Sequence, residues 1–524
     1  MTRSITITRA LLALASLASA KPITITVPGA PSFGSGSVPD GLRPRQEDNS
    51  TGSGASVGSI SFGRCPNSFP EGVTCGKLVV PLDWDTPLGN ETIELGLVRR
   101  EATDRANRIG NLFLNPGGPG GQASNLVAQI AAFPQAVDSR LLERFDLIGL
   151  DPRGVGLSTP IRCDPAVWNK RVSFFPQTQE AFDELVAHNR AAGESCRART
   201  GRLIDFVDTI SAARDHEAVR LALGGEPANY LGLSYGTQLF AQVAELFPDS
   251  FRAMVLDGNL QHSQSESANV LAESTTFQST LKEFFRWCFR SRECAFRSRN
   301  HQFKFQRLVQ RASEAPIRAS GCDNRACRSD VSVEELLFST QLLLTSVTAW
   351  PQLGQALQDA NGGDATLLSQ IQPLAIGDAY VDSNLFAGTA VTCQDWAHEA
   401  QTLADVRAKV TLGSTFNPLT LGSCQMAKIQ TACIGWPAPL TNPPKPTEYA
   451  GSTPILVVQS TLDPSTSLSW GLGLHEELGP VSSLLTRNGT GHTSFLLGGG
   501  ETVGAISEYL LSLGVPADGT VLNS

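Results

Sequence analysis

Apolar and polar positions divide the chain into stretches of different rhythm. Just after Phe62, "GKLVVPLDW" and "TIELGLVRREA" alternate in the manner of strands. Beyond them come short runs that are apolar throughout, each closed by a Gly-rich or charged turn: "NLFLNPGGPGG", "FDLIGLDPRGVGLS", "NYLGLSYG", "FRAMVLDG" and, much later, "PILVVQSTLD". Such runs fit strands buried on both faces. Between them, "DTISAARDHEAVRLALG" and "TQLFAQVAELFP" carry the period of amphipathic helices. Buried strands alternating with helices predict an α/β fold with a mostly parallel, doubly wound central sheet.

From about Leu260 to Tyr449 that rhythm breaks. "TLKEFFRWCFR", "FKFQRLVQRASEA" and "VEELLFSTQLLLTSV" read as helices and strand signals are few, until "PILVVQS" resumes the sheet. An insertion between two strands of one sheet predicts a large, mainly helical cap over the sheet's C-terminal edge, where open α/β sheets bind ligands. The expected organisation is 61–259 for the first part of the core, 260–450 for the cap and 451–524 for the C-terminal part of the core.

The N-terminus has a different character. Arg3 and Arg9 precede an apolar run, Ala10 to Ala18, and the small residues Ala18-Ser19-Ala20 follow. That is the layout of a secretory signal peptide over 1–20, cut after Ala20. The apolar run is shorter than the roughly 20 residues that cross a bilayer, and no later segment is long and apolar enough to span. Residues 21–60, rich in Pro, Gly and Ser, read as a flexible lead-in or propeptide.

Composition sharpens this picture. Of 524 residues, 41% are hydrophobic and 17% charged, as in a well-packed globular protein. The formal charge of −9 leaves no basic excess to neutralise phosphates and excludes nucleic acid as a partner. Eleven cysteines suit an oxidising, extracellular destination. Neighbours in sequence pair as Cys65/Cys75, Cys163/Cys196, Cys288/Cys294, Cys322/Cys327 and Cys424/Cys433, which leaves Cys393 over. The odd count means a free thiol, an intermolecular bond or one wrong pairing. The spacings do not fit a metal site, so disulfides are expected rather than zinc. Sequons at Asn49, Asn90 and Asn488 fit a glycosylated secreted protein.

The candidate chemistry begins at Ser234 in "NYLGLSYGTQL", a serine between Gly232 and Gly236 on a strand-to-helix turn. A G-x-S-x-G pattern in that context presents its hydroxyl above the sheet as a nucleophile. A serine needs a base, and the base needs an acid to orient it. In this order of elements both follow the serine. Of seven histidines, two lie after the last strand-like acid candidate. His475 falls in the amphipathic "GLGLHEELG", where a surface role is expected. His492 falls in the Gly-rich loop "NGTGHTSF" and is the base candidate. Asp463 ends the strand "ILVVQS" in "TLDPST", with room for one helix and one strand before His492, and is the acid candidate. Two backbone N–H groups must hold the oxyanion. Tyr235, after the nucleophile, supplies one; Gly118 in "NPGGPGG" supplies the other, since Pro119 has no N–H. No Gly-Lys-Ser/Thr follows this loop, so it is not a phosphate cradle.

Together "NPGGPGG", "GLDPRGVGLSTP", "GLSYG", "VLDG", "QSTLDPST" and "GTGHTSF" resemble the α/β-hydrolase peptidases that include prolyl aminopeptidases and secreted tripeptidyl aminopeptidases. The "CQDW" and "CIGWP" stretches draw the chain toward the tripeptidyl aminopeptidase branch. The resemblance runs from about Ser61 to the end. It implies an α/β-hydrolase fold, a Ser234–Asp463–His492 triad, oxyanion donors at Gly118 and Tyr235, and no metal or organic cofactor. It also implies that "DPRGVGLS", Asp151 to Ser158, braces the active-site floor. Prolyl aminopeptidases carry His-Gly-Gly-Pro where this chain has Pro116-Gly-Gly-Pro. The family's Val-x-Asp-Pro after "VLDG" is here "NLQHSQ", a departure that bears on specificity rather than chemistry. An aminopeptidase must also bind a free ammonium, and Asp257 and Asp395 are the carboxylates offered by position, each equally readable as a turn or capping residue.

The expectation is therefore a secreted serine exopeptidase acting on peptides. A carboxylesterase or other hydrolase of small esters or amides would use the same machinery, and an inactive binding protein on a hydrolase scaffold would predict a broken triad.

Overall fold

The computed structural model describes residues 58–87, 91–372, 374–375 and 385–523. The expected signal peptide, nearly all of the lead-in, Asn49 and Asn90 lie outside the described residues. Twelve strands follow in chain order: β1 (Gly63–Arg64), β2 (Thr74–Pro81), β3 (Thr92–Arg100), β4 (Gly110–Asn115), β5 (Phe145–Leu150), β6 (Ala228–Leu233), β7 (Phe251–Asp257), β8 (Ile317–Arg318), β9 (Asp330–Val331), β10 (Ile455–Leu462), β11 (Ser482–Thr490) and β12 (Thr520–Asn523). Ten of them form one sheet in the order β1-β2-β3-β5-β4-β6-β7-β10-β11-β12. Pairing is antiparallel from β1 to β5 and parallel from β5 through to β12.

The continuously apolar runs have a direct cause. Every residue of β4, β5 and β6 is buried, because successive side chains feed opposite layers. Phe113, Tyr230, Met254 and Val457 pack with Val219, Leu239 and Phe240 of helices Thr209–Ala222 and Tyr235–Leu246. Their neighbours Leu112, Leu231, Val255 and Leu456 pack on the other face with Val127, Ile130 and Ile506 of helices Ala123–Ala132 and Glu501–Ser512. The sheet is thus the middle layer of three.

Between β7 and β10 lie eight α-helices and the short β8–β9 ladder among the described residues. This segment has a core of its own around Phe277, Phe284, Phe305, Leu336 and Trp350. Helix Gln179–Thr200, between β5 and β6, joins it: Phe182 packs with Val406 and Ile434, and Asn189 donates to the carbonyls of Thr431 and Ile434 at 2.9 Å.

Four disulfides link Cys65–Cys75, Cys163–Cys196, Cys288–Cys294 and Cys322–Cys327. The fifth corrects the sequence reading: Cys393 pairs with Cys433, and Cys424 is a buried free thiol. The reason is helix geometry. Cys424 and Cys433 cap opposite ends of helix Gln425–Ala432, and at about 1.5 Å of rise per residue their separation exceeds the roughly 7 Å limit for Cα atoms of a disulfide. No helix among the described residues is long and apolar enough to cross a membrane. Asn488 is exposed near the end of β11, its amide donating to Asn523 Oδ1 at 3.0 Å.

Candidate active site

Gly118, Ser234, Asp257, Asp463 and His492 lie at or just past the C-terminal ends of the contiguous parallel strands β4, β6, β7, β10 and β11, whereas Asp395 and His475 lie in helices Phe386–Asp395 and Leu468–Leu478. Ser234 follows β6 at φ 57° and opens helix Tyr235–Leu246. A left-handed backbone is costly for a residue with a side chain, and the turn exists because its neighbours lack one. A Cβ on Gly232 would lie 2.3 Å from the Gly236 carbonyl oxygen, and one on Gly236 would lie 2.8 Å from that of Asn115.

The loop after β4 closes onto this turn. A Cβ on Gly117 would lie 2.8 Å from Ser234 Cβ and 2.9 Å from the Tyr235 nitrogen. The Gly117 N–H is already donated to Asn115 Oδ1 at 2.9 Å, which leaves Gly118 as the next N–H of the loop. The Tyr235 N–H is the first of its helix, where no intrahelical acceptor exists. Behind the loop, Asp151 accepts from Ser124 N at 2.9 Å, Ser124 Oγ at 2.7 Å and Leu157 N at 2.8 Å. Burial pushes its carboxyl up to about 6. Arg153, wholly buried, forks onto Asp215 through two 2.7 Å bonds and donates to the Leu82 and Phe206 carbonyls.

Asp463 and His492 meet directly. The β10–β11 register shifts between Ser460 and Leu462, and Asp463 is the first residue past the end of β10. The His492 Nδ1 lies 2.8 Å from Asp463 Oδ2 and 3.0 Å from Oδ1. A carboxylate only accepts, so Nδ1 carries the proton and Nε2 keeps its lone pair. Asp463 is fully buried and also accepts from the N–H groups of Ser465 and Thr466, each at 2.8 Å, and from Thr466 Oγ1 at 2.8 Å. Burial opposes charge on both partners. Even so, the Asp463 charge beside the ring holds the His492 pKa above its usual value, and His492 holds Asp463 below the usual carboxylate range.

Asp257 and Asp395, the carboxylates offered by position as ammonium ligands, are both buried with oxygens already accepting N–H groups of this chain. Asp257 is wholly buried: its carbonyl accepts the Ser234 N–H at 3.0 Å, and its carboxylate accepts Ser494 N at 2.7 Å and Phe495 N at 2.8 Å. Asp395 is buried against Thr209 and Asn442, whose N–H and amide donate to it at 2.9 and 3.1 Å. Burial pushes its pKa up to about 7. The other histidine candidate, His475, bonds Ser482 Oγ at 2.7 Å, away from Asp463.

Four groups at the site escaped the sequence reading. Thr466 bonds Asp463 and approaches His492 Nδ1 at 3.3 Å; its signal was the Asp-Pro-Ser-Thr turn itself. Arg487 is buried and donates to the carbonyls on either side of His492, Gly491 at 2.8 Å and Thr493 at 3.1 Å; an arginine closing the apolar "SSLLTR" was the clue. Gly258 lies against the base, for a Cβ there would be 3.4 Å from His492 Cε1. The Thr345 carbonyl accepts the His492 N–H at 2.7 Å, a backbone contact with no sequence signal. No cluster of potential metal ligands occurs among the described residues.

Residues 110–498 match the model of the α/β hydrolase fold family. The chain is 30% identical to the serine protease Hip1 of Mycobacterium tuberculosis over 86% of this chain and 87% of the relative. It is likewise 30% identical to the carboxylesterase B of that organism, over 84% of this chain and 85% of the relative. A tripeptidyl aminopeptidase of Streptomyces coelicolor is 29% identical over 81% of this chain and 78% of that protein.

Proposed function

The chain belongs to the α/β hydrolase fold family and is a serine hydrolase, and we propose that it is a secreted aminopeptidase that releases short N-terminal fragments from peptides through an acyl-enzyme. The observation that carries the chemistry is the buried Asp463 carboxylate on His492 Nδ1, at the same sheet edge as the left-handed Ser234 turn. What supports a peptide substrate is the likeness to a serine protease and a tripeptidyl aminopeptidase over more than four-fifths of the chain. The leader-like N-terminus and five disulfides support secretion.

In this reading Ser234 Oγ attacks the scissile carbonyl carbon while its proton passes to His492 Nε2. Asp463 fixes the Nδ1–H tautomer and stabilises the imidazolium. The N–H groups of Tyr235 and Gly118 receive the oxyanion. His492 then protonates the leaving amine, the C–N bond breaks, and a water activated by the same histidine releases the acyl fragment. The insertion over 260–450 chooses the substrate.

Ester hydrolysis runs on the same groups, and the likeness to a carboxylesterase makes it the second reading. The test is hydrolysis of aminoacyl, tripeptidyl and N-blocked tripeptidyl chromogenic amides and of simple esters, by the wild type and Ser234→Ala. Cleavage restricted to amides with a free amine is expected. Turnover of esters alone would replace the peptidase with an esterase, and activity surviving in Ser234→Ala would remove the triad.

A further inference from the structure

Asp463 follows Leu462, the last paired residue of β10, so the carbonyls of its turn lie outside the strand ladder. Buried carbonyls need donors, and those found here come from the insertion. Thr276, in helix Glu266–Arg290, donates its hydroxyl to the Asp463 carbonyl at 2.6 Å. Gln341, in helix Val333–Leu344, donates its amide to the Pro464 carbonyl at 2.9 Å and to Glu273 Oε1 at 2.8 Å. Just past that second helix, the Thr345 carbonyl takes the His492 N–H at 2.7 Å. Thr276 and Gln341 are both buried. The main chains of Asp463 and His492 are therefore both held by the insertion, the first from helix Glu266–Arg290 and the second from the residue that caps helix Val333–Leu344.

We propose that the insertion is a fixed half of the catalytic scaffold rather than a lid, with Thr276 and Gln341 as positioning residues for Asp463. An insertion that swung open would break these bonds together and release Asp463 and His492 from their relative placement. Helix Glu266–Arg290 is itself pinned near both ends, by the buried Glu266–Lys409 pair and by the Cys288–Cys294 disulfide. Substrate then reaches Ser234 past a standing roof, and the roof contributes to turnover as well as to choice of substrate. This inference rests on the triad assigned above.

The test uses Thr276→Val, which keeps the shape and removes the donor, Thr276→Ser, which keeps the hydroxyl, and Gln341→Met as a second, independent variant. The readout is kcat for p-nitrophenyl acetate per active site titrated with a fluorophosphonate, together with the pH profile of kcat/KM. A short ester asks little of the substrate pocket, and titration removes any misfolded fraction. Thr276→Val and Gln341→Met are expected to lower kcat about tenfold, equivalent to roughly 1.4 kcal/mol of transition-state stabilisation, with KM little changed. In Thr276→Val the acid limb of the profile moves to lower pH, because a loosened Asp463 raises the His492 pKa less while Asp257 and Glu273, the other carboxylates near that ring, keep their partners. Gln341→Met also frees Glu273, so that variant is read on kcat alone. Thr276→Ser restores most of the rate. A lower melting temperature with kcat per titrated site and acid limb both unchanged would overturn the proposal. Failure of the wild type to be titrated at Ser234 would instead overturn the triad.

Discussion

The Asp257 carbonyl accepts the Ser234 N–H at 3.0 Å, while the carboxylate of the same residue accepts the N–H groups of Ser494 and Phe495. One residue at the end of β7 thus ties the Ser234 turn, through its carbonyl, to the loop that carries His492, through its carboxylate. Asp257→Asn replaces one acceptor oxygen with an NH2 group facing those donors. The expected result is a fall in kcat of about 10- to 100-fold, the scale of a misplaced catalytic group, with KM for free-amine peptides little changed. A selective rise in KM for free-amine over N-blocked substrates would restore Asp257 as an ammonium ligand.

Asp463→Asn presents an amide that can donate to Nδ1 and so favour the wrong imidazole tautomer. A loss of about 10⁴-fold in kcat is expected, with the fold intact by circular dichroism. A loss below tenfold would mean that another group orients His492.

The glycines of the nucleophile turn are spatial requirements. Gly232→Ala would force a Cβ to within 2.3 Å of a backbone oxygen that belongs to the turn itself. A destabilisation of about 1–3 kcal/mol or more is expected in chemical denaturation. A variant as stable and active as the wild type would mean that the turn relaxes freely.

Non-reducing peptide mapping is expected to recover Cys393 joined to Cys433, and Cys424 unlinked. Cys424 is buried, and burial holds its thiol pKa well above the ordinary value, so iodoacetamide should label it only after denaturation. Labelling of the native protein would contradict its placement.

Three buried carboxyls titrate high because burial disfavours their charge: Glu273 at about 8, Asp395 at about 7 and Asp151 at about 6. Between their ordinary values near 4 and these, the folded protein holds protons that the unfolded chain has lost. These three groups therefore contribute a decline in stability as pH rises from about 5 toward 8, opposed at its acid end by His188, His216, His262 and His301, which burial holds below the usual histidine pKa. Glu273→Gln should flatten that decline, measured as melting temperature at both ends. An unchanged slope would show that Glu273 does not carry it.

The Ser234 turn and the Asp463–His492 contact were legible because each residue follows an apolar strand-like run and closes it with a short turn. The loop that closes onto Ser234 was legible for a related reason, since the glycines of "NPGGPGG" leave room for close backbone approach at a strand end. Asp257 was not, because a carboxylate at the end of a strand looks the same in sequence whether its oxygens face substrate or are already taken by N–H groups. Cys424 and Cys433 misled because nearness along the chain becomes distance along a helix. The bonds from Thr276, Gln341 and Thr345 were out of reach for another reason: they join residues more than a hundred positions apart, and all three acceptors are backbone carbonyls that any residue would supply.

The positive φ of Ser234 has one more consequence. Glycine adopts that conformation freely, whereas a residue with a side chain pays about 1–2 kcal/mol there. The most comfortable residue at position 234 is therefore an inert one. Any search for hardier variants of this protein that scores survival on heating alone will drift toward losing Ser234, the nucleophile proposed above.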